Sequence, residues 1–127
     1  MHKKIIKTDK APLPIGPYNQ AVAMSHLVYT AGQISIDPKT NEICPGGITE
    51  QTKMVMSNLK AVLEAAGSSF DKVIKATVFL KDMNDFAAMN AVYSQHFDAT
   101  TAPARSTIQV VRLPKDALVE IEAVAIV

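Results

Sequence analysis

Apolar positions along the chain follow two spacings, alternate residues in some segments and every third or fourth residue in others. Alternation with β-branched side chains predicts strands at 4–7, 21–25, 27–36, 42–44, 73–81, 105–111 and 118–127. Helical spacing predicts two helices, from Thr49 to Ala66 and from Asp82 to about Phe97. This order predicts a single α+β domain over residues 1–127, with both helices on one face of a mixed β-sheet.

Capping residues indicate where these elements begin and end. Thr49 is the expected N-cap of the first helix, with Glu50 in the first turn, where the helix dipole favours an anion. Gly67 is the expected stop of that helix, and Asp82 is the expected cap of the second. Residues 37–41 predict a turn between two strands.

The strand at 105–111 carries an unusual charge. Alternation places Arg105, Thr107 and Gln109 on one side and Ile108 and Val110 on the other. A rigidly placed guanidinium on a sheet is suited to a planar anion, such as a carboxylate, which it grips with two hydrogen bonds. The alternative is an ion pair with a neighbouring acid that holds the sheet together.

Two helices cover only one face of a sheet, so the other face needs a partner. We expect that face of the last strands to carry Arg105, Thr107, Gln109 and Val111 beside Leu118, Glu120, Glu122, Val124 and Ile126. Such a surface is too apolar for water and too polar for an ordinary core. It predicts an oligomer, with Arg105 and Glu120 near a subunit junction.

Composition limits the possible partners. The 127 residues are 48% hydrophobic, carry a net charge of +1 and contain no basic run, which argues against a nucleic-acid partner. No apolar run approaches the roughly 20 residues of a membrane span, and residues 1–7 lack the apolar core of a signal peptide. The single cysteine, Cys44, fits a reducing compartment. We therefore expect a cytoplasmic protein without a membrane partner.

Resident cofactors are not indicated either. His2, His26 and His96 show no spacing typical of metal ligands, and only one cysteine could join them. No glycine-rich phosphate loop follows a predicted strand. We expect neither a metal nor an organic cofactor.

Five segments in series carry a family resemblance. They are Ile15-Gly16-Pro17-Tyr18-Asn19-Gln20-Ala21, Thr30-Ala31-Gly32-Gln33-Ile34, Lys75-Ala76-Thr77-Val78-Phe79-Leu80-Lys81-Asp82-Met83, Pro103-Ala104-Arg105-Ser106, and Leu113-Pro114-Lys115 continuing to Ile121-Glu122-Ala123-Val124-Ala125. Together they strongly resemble the RidA family, also called YjgF/YER/UK, over nearly the whole chain. The resemblance implies a fold similar to bacterial trimeric chorismate mutase and homotrimers with clefts between subunits.

The resemblance also implies an activity. Members hydrolyse reactive 2-imino acids, such as 2-iminopropanoate and 2-iminobutanoate, to 2-keto acids and ammonia, without a metal or organic cofactor. By position, Arg105 would bind the substrate carboxylate, Glu120 would position and polarise the attacking water, and Tyr18 would offer its hydroxyl. Gly32 would let backbone groups approach the ligand, and Asn90 would lie near the cleft.

Each assigned residue also has a structural interpretation. Glu120 could be an ion-pair partner of Arg105, Tyr18 a packing anchor, Gly32 a requirement of strand packing, and Asn90 a buried structural amide. Many bacterial members carry Cys where this chain has Thr107, so a thiol cannot be required here, although the Thr107 backbone N–H remains available to the carboxylate. The loop before Pro103 is also shorter than in some members.

Two other functions compete with the deaminase. One is a non-enzymatic small-acid-binding or chaperone-like protein that uses the same clefts, in which Glu120 would be dispensable. The other is an RNA-directed translation inhibitor or endoribonuclease. The chain has neither a basic patch nor a pair of histidines for acid–base cleavage of RNA, and both absences argue against the RNA-directed function.

Overall fold

The computed structural model describes residues 2–127, and a mixed six-stranded sheet forms its centre. The strands stand in the order β1-β2-β3-β8-β6-β7, and β4 and β5 form a separate hairpin. Their bounds are β1 Lys4–Ile6, β2 Ala21–Met24, β3 Leu27–Thr30, β4 Ile36–Asp37, β5 Glu42–Ile43, β6 Val73–Leu80, β7 Ala104–Gln109 and β8 Val119–Ile126. Only β6 and β7 pair in parallel, and the other neighbours are antiparallel.

Two helices, α1 at Ile48–Ala65 and α2 at Phe86–Tyr93, pack with the sheet around one hydrophobic core. The apolar stripe of α1 buries Val55, Met56, Leu59, Val62 and Leu63. Alternate residues of β6 and β8 meet this core, namely Val73, Ala76, Val78, Leu80, Val119, Ile121, Ala123 and Ala125. The predicted α+β class, with a mixed sheet and two helices, is confirmed.

The first helix begins earlier than predicted. Gly47, not Thr49, is the N-cap, and the Glu50 carboxylate accepts the Gly47 backbone N–H at 2.8 Å. The acid in the first turn therefore satisfies one of the free donors at the helix start, which makes a hydroxyl cap unnecessary. The predicted stop at Gly67 is confirmed, since its N–H bonds to the Glu64 carbonyl at 3.0 Å and its φ is +81°.

The second helix is shorter than predicted. Its α-helical part is flanked by two tight 3₁₀ turns, Met83–Asp85 and Ser94–His96. Asp82 does act as a cap, but of the first tight turn, where its carboxylate accepts the Asn84 N–H at 2.9 Å. Local bonding of this kind draws the backbone into a three-residue turn instead of a regular α-helical one.

The strand predicted at 27–36 is interrupted. Tyr29 pairs with Val124, but the next pairing is the single bridge between Gln33 and Ile121. Four steps along the first segment thus oppose three along β8, which is the signature of a β-bulge. The Thr30 hydroxyl accepts the Ala123 N–H at 3.0 Å, so a side chain replaces the backbone bond that the bulge removes.

The predicted placement of Arg105 and Thr107 on the same face as Glu120 is wrong. Arg105 stands in register with the buried Ala76, and Thr107 with the buried Val78, so both point toward the helices. Glu120 pairs with Phe79, three positions from Ala76, and points to the opposite face. Alternation within each strand was correct, but only the register between strands decides which sides coincide.

The face away from the helices is partly apolar. It exposes Ile5, Met24, Tyr29, Ile108 and Ile126. No helix of the described chain is both long enough and apolar enough to span a membrane.

Replacing Gly67 tests the helix stop. Gly67→Ala is expected to lower the free energy of unfolding by about 1 kcal/mol, because a left-handed φ strains alanine. Nothing lies within 4 Å of the added Cβ, so a clash contributes no cost. Gly67→Asn should lose less, since asparagine tolerates this conformation. Urea unfolding measures both, and equal losses would contradict the backbone explanation.

Candidate functional site

Arg105 lies against one face of α2. Its Nη1 donates to Oδ1 of Asn90 at 2.7 Å. The centre of its guanidinium stands 4.7 Å from the ring centroid of Tyr93 and 5.4 Å from that of Phe86. Phe86, Asn90 and Tyr93 are spaced by four and three residues, so they share one side of the helix. Asn90, which the resemblance placed near the cleft, is thus in direct contact with Arg105.

No acidic side chain among residues 2–127 forms an ion pair with Arg105. The ion pair found among residues 2–127 joins Arg112 to Asp116 at 2.7 Å on the surface. The groups that hold Arg105 are an amide and two aromatic rings, all uncharged. A guanidinium offers five N–H donors, and only one is engaged here. The alternative that Arg105 merely pairs with a neighbouring acid is therefore not supported, and its remaining donors can serve an anion.

Thr107 shares the side of β7 that carries Arg105. Its hydroxyl oxygen is buried and has no hydrogen-bond partner within residues 2–127. A buried hydroxyl without a partner is uncommon and usually has an explanation in function or in an absent ligand. A pocket of about 420 Å³ opens beside Arg105, and Asn90, Tyr93 and Pro103 also line it.

Glu120, Tyr18 and Gly32 come together at a different place. All three line a cavity of about 440 Å³, which Leu13, Ile15 and Lys115 also border. Tyr18 is half exposed at its rim. A Cβ on Gly32 would lie 2.7 Å from Cδ of Glu120, closer than side-chain atoms approach. Gly32 therefore admits the Glu120 carboxylate against the bulged backbone, which is a more specific role than strand packing.

Burial is the main influence on the acid–base behaviour of Glu120. It raises the pKa of the Glu120 carboxyl above the ordinary value, and the negative charge of Glu122 adds to the rise. Burial also raises the pKa of Tyr93, although the nearby positive charge of Arg105 acts in the opposite direction. Tyr93 is therefore uncharged at neutral pH, and the cavity of Glu120 holds a carboxyl suited to exchanging protons.

Gln20 was missed in the sequence prediction. It is 2% exposed, and its side-chain amide donates to the Thr8 and Pro12 carbonyls at 2.9 and 2.8 Å. Its Oε1 accepts the Thr8 N–H at 2.7 Å, and its backbone carbonyl accepts the Ala31 N–H at 2.8 Å. These bonds hold the loop that carries Tyr18 beside the bulge. A lone glutamine opening an apolar strand was the signal that could have identified it.

The predicted site residues thus form two groups on opposite faces of the sheet. Arg105, Thr107 and Asn90 lie on the helix side, whereas Glu120 lies on the other side, in the cavity that Tyr18 and Gly32 also line. Within one chain the two groups cannot act on the same small molecule. Among residues 2–127, no three His, Cys, Asp or Glu side chains gather in a way that could hold a metal ion.

Known proteins are similar to this chain in both sequence and structure. The family model described as Endoribonuclease L-PSP matches residues 8–127. A RutC family protein of Synechocystis sp. is 58% identical over 127 residues, covering 99% of this chain and 98% of that protein. The 2-iminobutanoate/2-iminopropanoate deaminase of Capra hircus is 48% identical over 124 residues, covering 98% and 90%. The crystal structure of E. coli TdcF with bound serine has a TM-score of 0.91 and 49% identity, with 98% of both chains covered.

The raised pKa of Glu120 predicts a pH-dependent effect on stability. A carboxyl whose pKa is higher in the folded state stabilises the fold below its unfolded pKa of about 4.3, and this contribution is lost as the pH rises through the folded value. Glu120→Gln is therefore expected to raise the free energy of unfolding at neutral pH, and the gain should shrink in acid. Urea unfolding across pH measures it.

The exposed Glu42 supplies the matched control for this experiment, because Glu42→Gln removes one carboxylate from the surface hairpin. A gain at neutral pH no larger than that of Glu42→Gln would contradict the proposed burial effect.

Proposed function

The chain belongs to the RidA family, and on that premise we propose that it hydrolyses 2-imino acids, such as 2-iminobutanoate and 2-iminopropanoate, to 2-keto acids and ammonia. The observation that carries the proposal is the guanidinium of Arg105, held by uncharged groups with four donors free. Such a group matches the planar carboxylate common to all these substrates. The serine bound by E. coli TdcF is an α-amino acid and also carries a carboxylate.

In this mechanism Arg105 binds the carboxylate and thereby orients the adjacent imine carbon. The backbone N–H of Thr107, on the edge strand β7, supplies a further donor to the carboxylate. The Asn90 side chain holds the guanidinium in place, because its Oδ1 accepts a hydrogen bond from Nη1 of Arg105 at 2.7 Å. These contacts are made equally in substrate and transition state, so they chiefly lower KM.

Glu120 handles the protons of the reaction. It takes a proton from water as the oxygen bonds to the carbon of the protonated imine, forming a carbinolamine. It then returns that proton to nitrogen and, as the C–N bond breaks, accepts the proton of the hydroxyl, which becomes the keto group. Ammonia leaves and takes up this proton as ammonium, which restores the Glu120 carboxylate. An acid–base group works best when its pKa lies near the working pH, and burial moves the pKa of Glu120 upward, in that direction. Tyr18, at the rim of the same cavity, offers its hydroxyl to the substrate.

The two groups of residues act together only if they come from different copies of the chain. We propose a homotrimer similar to bacterial chorismate mutase, in which Arg105 of one subunit meets Glu120 of its neighbour in each cleft. The exposed apolar side chains on the face away from the helices support such an assembly, because a surface of this kind favours burial against another copy.

The competing functions make different demands on these residues. A small-acid-binding protein needs Arg105 but has no use for the proton chemistry of Glu120. An RNA-directed activity is suggested by names alone, those of the family model and of some similar structures. A net charge of +1 provides little attraction for phosphates. Dependence of activity on Glu120 therefore separates the deaminase from a binding protein.

Removal of the guanidinium tests the carboxylate clamp. An amino-acid oxidase generates the imine in situ, semicarbazide competes for it, and the enzyme diverts it to keto acid. Arg105→Ala is expected to lower kcat/KM by about tenfold to a hundredfold, the range for loss of charge-assisted hydrogen bonds. Arg112→Ala, which breaks only the surface ion pair, is the matched control. Equal activity of the wild type and Arg105→Ala would refute the assignment.

A mixing experiment tests whether the site is shared between subunits. Arg105→Ala and Glu120→Gln chains, each of which is expected to have strongly reduced activity alone, are unfolded together in equal amounts and refolded. About a quarter of the clefts in random assemblies should then contain both native residues, with activity recovered in proportion. Mixing Arg105→Ala with the double variant leaves every cleft without Arg105, so no recovery is expected. Mass photometry measures the assembly, and a monomer at micromolar concentration would contradict the shared cleft.

A further inference from the structure

Tyr93 lies beneath the guanidinium of Arg105 and is almost completely buried, with 5% of its surface exposed. Its hydroxyl has no hydrogen-bond partner within residues 2–127. Buried tyrosine hydroxyls normally form a hydrogen bond, and this one forms none within the described chain. A hydrogen bond of the hydroxyl therefore does not explain why a tyrosine occupies this position. The guanidinium of Arg105 instead contacts the face of the ring, and its centre lies 4.7 Å from the ring centroid.

An aromatic face attracts a cation without carrying a charge itself. An acidic residue in this place would also hold Arg105, but it would occupy the donors and the charge that an incoming anion requires. The Tyr93 ring face limits movement of the guanidinium on one side, and the bond to Asn90 limits its rotation. The free edge of the fork is then oriented before any ligand arrives.

We propose that Tyr93 is a positioning residue for Arg105, whose ring face holds the guanidinium ready for a substrate carboxylate. The proposal rests on the proposed function in one respect, that the anion bound by Arg105 is the carboxylate of the imino acid. The immobilisation of Arg105 by the ring is a property of the protein alone, so it is measured separately from activity.

The expected consequence is a specific kinetic pattern. A mobile guanidinium loses more freedom on binding, so the carboxylate binds more weakly in both ground state and transition state. Loss of the ring face should therefore raise KM by about fivefold to tenfold, in keeping with the strength of a partly desolvated cation–π contact. It should leave kcat nearly unchanged, because the water and proton steps belong to Glu120.

Variants of Tyr93 separate the ring from the hydroxyl and from simple packing. Tyr93→Phe keeps the ring, Tyr93→Leu removes it, and Tyr93→Met fills the space with a flexible side chain if the leucine variant fails to fold. Val92→Ala is the matched control, because Val92 is similarly buried on the same helix. This substitution loosens the core and leaves the Tyr93 ring beside Arg105 in place.

Two measurements on the assembled protein are compared across this series. The first is the ¹⁵N relaxation of the Arg105 Nε–H group, which reports the rigidity of the guanidinium without ligand. The second is binding of 2-oxobutanoate by calorimetry, together with KM and kcat in the imine assay. The phenylalanine variant should match the wild type in all of them. The leucine or methionine variant should show a mobile Nε–H, about fivefold to tenfold weaker binding and a similar rise in KM.

Several results would overturn the proposal. They are an unchanged Nε–H in the leucine and methionine variants, an equal loss in Val92→Ala, or a phenylalanine variant as impaired as the leucine one. A wild type that neither binds 2-oxobutanoate nor hydrolyses imines refutes the proposed function instead. In that case the relaxation data still decide whether Tyr93 immobilises Arg105.

Discussion

The register of β6 with its two neighbours determines which residues of this protein can act together. Parallel pairing with β7 aligns Arg105 with Ala76, and antiparallel pairing with β8 aligns Glu120 with Phe79. Because side chains alternate along a strand, these two alignments direct the base and the acid to opposite faces of one sheet. A shift of one residue in either pairing would bring them to the same face and change the whole site.

Separation of the two charges also has an electrostatic consequence. On one face of the same chain, Arg105 and Glu120 could form a direct ion pair without a ligand. Apart, the guanidinium rests on an amide and aromatic rings, and the carboxyl sits in a cavity where burial raises its pKa. Arg105 therefore keeps a free positive charge, and Glu120 keeps a carboxyl whose pKa is above its ordinary value.

Local irregularity builds the cavity around Glu120. The bulge after β3 and the absence of a side chain at Gly32 allow the Glu120 carboxylate to approach the backbone. The buried amide of Gln20 ties the preceding loop to the same place and so holds Tyr18 at the rim. A regular strand over residues 27–36, as the hydrophobic pattern predicted, would leave no room for this arrangement. Departure from the regular pattern therefore coincides with the candidate site, as is common where function constrains a fold.

The sequence by itself determined the elements and the chemical groups. Hydrophobic periodicity placed the main strands and α1, Gly67 ended that helix, and the motifs around Tyr18, Gly32, Arg105 and Glu120 identified the family. These features are local, since each depends on residues a few positions apart. The tertiary structure alone decided which faces coincide, where the bulge falls and how Tyr93 meets Arg105. Such contacts join residues far apart in the chain, and the alternation of a single strand contains no information about the register of its neighbours.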